Sequence, residues 1–243
     1  MFILDRNTMK GPIPGPEVAI QEGLVICIDK PLNWTSADVV RKIRFRLQRH
    51  WQLKKIKVGH TGTLDPLATG LLIICAGRAT RMTDEFQAQD KEYIAGITFG
   101  ATTPSFDLEH EIDATYPWEH ITRNSVETKL KEFLGEQLQL PPVYSAKIID
   151  GTRAYEFARQ GLETPQMKKN IIQIHELDIT EFVPPYLTLR IACSKGTYIR
   201  AFARDLGHTL GSGAYLSSLR RSASGSYKAD EALGIEEFEN IFT

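Results

Sequence analysis

The segment Gly59-His60-Thr61-Gly62-Thr63-Leu64-Asp65-Pro66-Leu67-Ala68-Thr69-Gly70-Leu71-Leu72 sets one carboxylate, Asp65, directly before a proline and between two apolar runs. Pro66 fixes its own φ and biases Asp65 away from the helical region. Gly59, Gly62 and Gly70 permit backbone angles or close approaches that a side chain would forbid. The small neighbours Thr61, Thr63, Ala68 and Thr69 leave room beside Asp65 for something large and flat. A loop of this kind presents one acid in a defined pose, as a catalytic carboxylate requires. An Asp-Pro turn opener without chemistry fits the same residues. The glycines lack the following Lys-Ser or Lys-Thr of a phosphate cradle, and no Walker loop, Rossmann glycine pattern, zinc spacing or nucleophile elbow occurs. No metal and no cofactor are expected.

The second chemical feature is a basic run. Arg41, Lys42, Arg44, Arg46, Arg49, Lys54, Lys55 and Lys57 fall between residues 41 and 57 with no acid among them. The formal net charge of the whole chain is only -1, because residues 107 to 119 and the trio Glu236, Glu237 and Glu239 are acidic. A basic patch on a near-neutral protein points to a polyanion bound in one place. A merely solvated helix face is the alternative.

These groups need elements to carry them. A strand is expected over 24–28, ending at Asp29-Lys30-Pro31. Thr35 or Ser36 then caps a helix of about 14 residues. On that helix Val40, Ile43 and Leu47 form the apolar stripe, with Lys42, Arg46 and Arg49 on another face. A short strand over 56–58 leads into the Asp65 loop. A buried strand over 71–75 and a helix over 79–88 follow. Residues 91–99 alternate as a strand, with Tyr93, Ala95, Ile97 and Phe99 on one face. An acidic loop, 101–119, precedes helices over 125–134 and 154–159. Two β runs, 171–182 and 186–194, meet at Pro184-Pro185. Lys195-Gly196-Thr197 reads as a strand-to-helix turn capped by Thr197, opening a helix striped by Ile199, Phe202, Leu206 and Leu210. Residues 214–227 close the pattern as a strand. Without a regular βαβ rhythm, the class is α+β with a mixed sheet.

A chain of 243 residues fits one large domain or one domain with a modest appendage. Residues 1–22, punctuated by proline and glycine, read as an N-terminal arm, and 23–243 as the catalytic domain. At 42% hydrophobic and 24% charged residues, the composition is that of a soluble globular protein. The longest apolar run, Leu71 to Ala76, is too short to span a bilayer, and no signal peptide is read at the N-terminus. Cys27, Cys75 and Cys193 sit apart in strand-like runs, which suits buried thiols in the reducing cytoplasm.

Taken in order, these segments resemble the TruB family of tRNA pseudouridine synthases, which isomerise the uridine at position 55 in the T loop of tRNA. The matching blocks run from Gly23 to Tyr227. They are Asp29-Lys30-Pro31, the Gly59 to Leu72 loop, Lys91-Glu92-Tyr93, Pro141 to Lys147, Gly151, Tyr155 to Gly161, Ser194 to Arg200, Asp205-Leu206-Gly207 and Leu219-Arg220-Arg221. The resemblance implies a pseudouridine-synthase-like, largely antiparallel central sheet flanked by helices and loops. It makes Asp65 the nucleophile, Tyr93 the ring that stacks on the target base, and Arg200 the ion-pair partner of Asp65. Tyr198, Lys30 and Leu219 would line the pocket, and His60 would pack where the uridine had stacked. Arg46 and Arg49, on the basic helix, would hold phosphates of the T stem-loop without reading sequence. Beside its family the chain is a short form, without the C-terminal PUA-type module of longer relatives; a monomer with no obligate protein partner is expected, though sequence alone does not fix the oligomeric state. One departure stands out. The family's Thr-Asp-Thr-type stretch reads here Thr102-Thr103-Pro104-Ser105-Phe106-Asp107-Leu108-Glu109, which leaves the role of this loop open.

The residue chemistry agrees. Pseudouridine formation breaks the C1′–N1 bond, turns the uracil and joins C1′ to C5, with no redox change. One carboxylate suffices as covalent catalyst, attacking C1′ or C6. A guanidinium beside it keeps it ionised in a dry pocket. The base must be flipped out, at a cost of a few kcal/mol, which gives Tyr93 and His60 their uses. The rivals are a guide-dependent uridine isomerase of the same family and an RNA chaperone that folds tRNA without chemistry. A Mg-dependent phosphoryl-transfer enzyme would need a second carboxylate and a phosphate loop that are missing.

Overall fold

The computed structural model describes residues 1–145, 148–149, 152–153 and 167–242. The helix expected over 154–159 and the motif residues 146–147, 151 and 155–161 lie outside the described residues.

In chain order the strands are β1 (Phe2–Leu4), β2 (Leu24–Lys30), β3 (Val58–His60), β4 (Ala68–Ala76), β5 (Lys91–Phe99), β6 (Ala101–Thr102), β7 (Ala114–Thr115), β8 (Gly135–Gln139), β9 (Ile148–Ile149), β10 (Thr152–Arg153), β11 (Asn170–Val183), β12 (Tyr186–Cys193), β13 (Ala214–Ser224) and β14 (Tyr227–Lys228). The α-helices are α1 (Pro16–Gln21), α2 (Ser36–His50), α3 (Thr83–Ala88), α4 (Arg123–Phe133), α5 (Ile199–Thr209) and α6 (Ile235–Ile241). Two compact units result, one made of residues 1–93 with 220–243 and the other of 94–219. The chain enters the second unit within β5 and returns within β13. None of the described helices is long and apolar enough to cross a membrane.

In the first unit, β2 and β3 both pair antiparallel with β4, in registers running from Leu24↔Ala76 to Lys30↔Gly70 and from Val58↔Ala76 to His60↔Ile74. β1 adds to β2 in parallel. The residues read as an arm thus include a sheet strand and the short helix α1, which starts on Pro16, where the missing N–H costs nothing. Val25, Cys27, Leu71, Ile73 and Cys75 pack with Phe86, Ala229 and Ala232 into one apolar cluster. Helix α2 forms as its cap foretold. Thr35 Oγ1 accepts from the Asp38 N–H at 3.0 Å, and the Asp38 carboxylate accepts from the Thr35 N–H at 2.9 Å. Its buried side includes Val39, Val40, Ile43 and Leu47.

One helix differs from expectation. The run 79–88 begins as a 3₁₀ segment, Gly77–Met82, before turning α-helical at Thr83. Thr80 and Thr83 hydroxyls donate to the carbonyls of Gly77 and Thr80, at 2.8 and 2.9 Å. These three-residue back-bonds satisfy the tighter turn and compete with the α ladder.

In the second unit, β11 and β12 form the hairpin expected around Pro184-Pro185, and β8 pairs antiparallel with β11. The acidic stretch is less of a loop than its composition suggested, since β6 and β7 pair within it. Buried residues recur at every second position of β12 and of β5, the strand shared by both units, among them Tyr93, Ala95, Ile97 and Phe99. Helix α5 buries Ile199, Phe202 and Leu206, and the Phe202 ring meets Phe133 of α4 edge-on at 5.1 Å. Antiparallel pairing dominates among the described strands, with β1 and β2 running parallel, so the class is the expected α+β with a mixed sheet.

Candidate active site

Strand β3 ends at His60 and β4 begins at Ala68, so the Asp65 loop joins two adjacent antiparallel strands. The Ala68 N–H donates to the Asp65 carbonyl at 3.1 Å. This closes a turn with Pro66 in the second position, where its fixed φ belongs. The Asp-Pro turn and the display of a carboxylate are therefore the same structure.

Both neighbours of Asp65 are tied down. The Ser36 hydroxyl, at the start of α2, accepts from the Leu64 N–H at 2.8 Å and is placed to donate to the Leu64 carbonyl at 3.0 Å. On the other side the Pro66 carbonyl receives the Asn33 N–H at 2.9 Å and the Lys30 ammonium at 3.3 Å. Main-chain anchors thus fix the pose of Asp65 from both sides, while its own side chain is half-buried. Sequence reasoning missed Ser36 in this role, because a helix-start serine normally looks like a cap.

Lys30, expected on the pocket wall, is fully buried. Its ammonium donates to the carbonyls of Pro31 at 3.0 Å, Trp34 at 2.6 Å and Pro66 at 3.3 Å. Three donors go to three carbonyls, so the visible work of Lys30 is to brace the loop. Burial lowers its pKa to about 8, against the attraction of Asp65 and with the repulsion of Arg221. His60 is half-buried, and its Nδ1 accepts from the Gly62 N–H at 3.3 Å. Burial first, and then the Arg221 charge, lower the His60 pKa and favour its neutral, apolar ring.

Tyr93 is buried on β5, and Arg49 is exposed in the last turn of α2. Arg46 is placed differently from Arg49. Its Nε donates to Glu239 of α6 at 2.5 Å, and Lys42 joins the same carboxylate at 2.9 Å. Part of the basic helix face is thereby neutralised within the unit. Further basic residues lie beside it, around two grooves whose walls are largely apolar. A groove of about 670 Å³ is lined by Arg44, Gln48, Lys55, Lys57, Gly59 and Thr80. A second, of about 430 Å³, shares Lys55 and Lys57 and adds Arg78 and Arg81.

In the second unit, Arg200 sits on the first turn of α5 and is 5% exposed. Its Nη1 donates to the Ser105 carbonyl at 3.1 Å and its Nη2 to the Tyr144 carbonyl at 2.8 Å, and Nε lies 3.6 Å from Asp107. Asp107, also 5% exposed, has its other oxygen on the Glu109 N–H at 3.0 Å. The stretch 102–109, whose role was open in the sequence, holds this arginine. Phe106 takes a left-handed φ of 62° between the two contributing residues, a strain of about 1–3 kcal/mol in general. The Thr103 hydroxyl braces the turn on the Asp107 carbonyl at 2.6 Å.

Tyr198, rather than Thr197, is the N-cap of α5. The Thr197 hydroxyl is turned back to the Ser194 carbonyl at 2.9 Å. The Gln139 side chain instead grips both sides of Tyr198, accepting its N–H at 2.8 Å and donating to its carbonyl at 3.1 Å. Leu219 is half-buried on β13. Of the sequence-predicted residues, then, His60, Asp65, Lys30, Tyr93, Arg46 and Arg49 belong to the first unit, and Arg200, Tyr198 and Leu219 to the second.

The model of the TruB family pseudouridylate synthases (N terminal domain) matches residues 49–199, a span that takes in Asp65, Tyr93 and Tyr198. The chain belongs to the TruB family. Among curated family proteins, tRNA pseudouridine synthase B of Parabacteroides distasonis is 54% identical over 219 residues, which is 90% of this chain and 93% of that protein. The protein of the same name from Flavobacterium johnsoniae is 48% identical, over 90% and 95% of the two chains. Among solved structures, a chain of a Cbf5-Nop10-Gar1 complex superposes with a TM-score of 0.69 at 28% identity, over 98% of this chain and 58% of that one. A chain of the archaeal box H/ACA sRNP Nop10-Cbf5 complex gives 0.66 at 27% identity, over 96% and 57%. This chain thus spans a little over half the length of those two structural neighbours.

Proposed function

We propose that this protein converts the uridine at position 55 in the T loop of tRNA to pseudouridine, in the cytoplasm, with Asp65 as the covalent nucleophile. The observation that carries the reading is the bracing of Leu64 and Pro66 on either side of Asp65, in a chain half-identical to proteins named tRNA pseudouridine synthase B. A preorganised carboxylate loses little on reaching the transition state, which is where catalytic advantage arises.

The atoms balance without any added reagent. The Asp65 carboxylate attacks C1′ or C6, and the C1′–N1 bond breaks. The uracil turns within the pocket, and C1′ joins C5. The C5 hydrogen leaves as a proton while N1 gains one, and the carboxylate is released. Arg200 serves as counter-ion to Asp65, Tyr93 stacks on the flipped base, and Tyr198 and Leu219 wall the pocket. The neutral His60 ring fills the space that the uridine vacates. Arg44, Lys55 and Lys57, with Arg49 beyond them, hold backbone phosphates.

The test is Asp65→Asn with a T-arm stem-loop RNA. It should abolish pseudouridine while leaving affinity within about tenfold of wild type, or about 1.4 kcal/mol. Full activity in the variant sinks the mechanism. RNA folding by a wild-type protein that makes no pseudouridine would favour a chaperone instead.

A further inference from the structure

The block Leu219-Arg220-Arg221 stands out in the sequence, yet the function above uses only Leu219. Successive side chains of a strand point to opposite faces, and on β13 the two arginines part accordingly. Arg220 forms a two-pronged pair with Asp29, at 2.9 and 2.8 Å. Arg221 turns the other way and is 3% exposed.

Its guanidinium reaches both limbs of the Asp65 loop. Nε donates to the Leu71 carbonyl at 2.7 Å, beyond the carboxylate in sequence, and Nη2 donates to the Gly62 carbonyl at 3.2 Å, before it. The main chain of Arg221 also shapes the exit limb. A Cβ at Gly70 would lie 2.3 Å from the Arg221 carbonyl oxygen, so Gly70, with φ of 98°, is what lets the loop close against it. Gly62, held at its carbonyl by Arg221, presents its N–H to His60 Nδ1.

We propose that Arg221 is a positioning residue for the reaction, spanning the base of the Asp65 loop and setting the pose of both the carboxylate and the His60 ring. The proposal rests on the reading of Asp65 as nucleophile. A planar fork can serve two divergent carbonyls at once, whereas an ammonium on a flexible stem offers no fixed pair of directions. That difference makes arginine, and not simply a positive charge, the requirement at this position.

The test uses the full chain with Arg221→Lys and Arg221→Gln. Single-turnover pseudouridine formation, RNA affinity and thermal melting are measured side by side on a T-arm stem-loop. A loosened catalytic loop predicts a rate loss of about tenfold for the lysine variant and about a hundredfold for the glutamine variant. Affinity should stay within about threefold, the pattern of an interaction that matters in the transition state alone. Lysine should therefore rescue partially. A wild-type rate in either folded variant overturns the proposal, as does a rate loss that follows affinity or only the unfolded fraction. If the glutamine variant does not fold, the lysine variant, which keeps the charge, reads the same question. Failure of both to fold assigns Arg221 to the core and also overturns it. The two readings fail separately. An inactive wild type or an active Asp65→Asn removes the nucleophile, whereas normal Arg221 variants beside an inactive Asp65→Asn remove this inference alone.

Discussion

The Asp65 loop and the surroundings of Arg200 hold a charged group in opposite ways. Asp65 is positioned through the main chain, with Leu64 and Pro66 anchored and its own side chain half-buried. Arg200 is positioned through its side chain, whose nitrogens meet two carbonyls and a carboxylate while water is kept away. The contrast suits the roles proposed for them. For the nucleophile, the residues on either side are held at their main chain, which fixes the loop that carries the carboxylate. A counter-ion must stay charged and still, so its own donors are occupied. Mutations should accordingly hurt in different ways, rate on one side and stability on the other.

The largest stability effect is expected at Asp107. Asp107→Ala takes one carboxylate away from the buried Arg200 guanidinium, and removing one partner of a buried pair costs about 3–5 kcal/mol. Denaturant unfolding measures it, and a loss below about 1 kcal/mol would place Asp107 with weak surface pairs instead. Ser36→Ala should cost less, about 1–2 kcal/mol for the bonds to Leu64. It should nonetheless slow single-turnover catalysis by about tenfold, since the residue next to the carboxylate is freed. If the rate is unchanged, anchoring by main chain is not what positions Asp65.

The smallest effect is on binding. Lys55→Gln with Lys57→Gln should flatten the slope of log affinity against log salt by about 0.7–0.9 for each phosphate that the protein no longer neutralises. Arg46→Gln should change it less, because Glu239 already holds that guanidinium. The reverse order would move the RNA face onto the side of α2 that meets Glu239.

The same contrast explains what could be read from the sequence. The Asp65 loop is local, and glycine, proline and small residues announce its geometry within a few positions of the acid. Helix α2 was legible for the same reason, since Thr35 and Asp38 carry its start in four residues. The partners of Arg200 come from distant stretches around Ser105, Asp107 and Tyr144, and no spacing rule links them. Gln139, which fixes Tyr198 at the start of α5, comes from equally far away. Arg46 looked free for RNA because its acid, Glu239, lies near the other end of the chain. Local chemistry could be read forward, and tertiary pairing could not.

The central claim is that the held carboxylate performs the isomerisation. Its most direct test is single-turnover pseudouridine formation in a T-arm stem-loop, with wild type and Asp65→Asn compared at saturating protein. Wild type should convert the T-loop uridine and the variant should not, with both proteins folded and binding the RNA alike. Conversion by Asp65→Asn at the wild-type rate would contradict it.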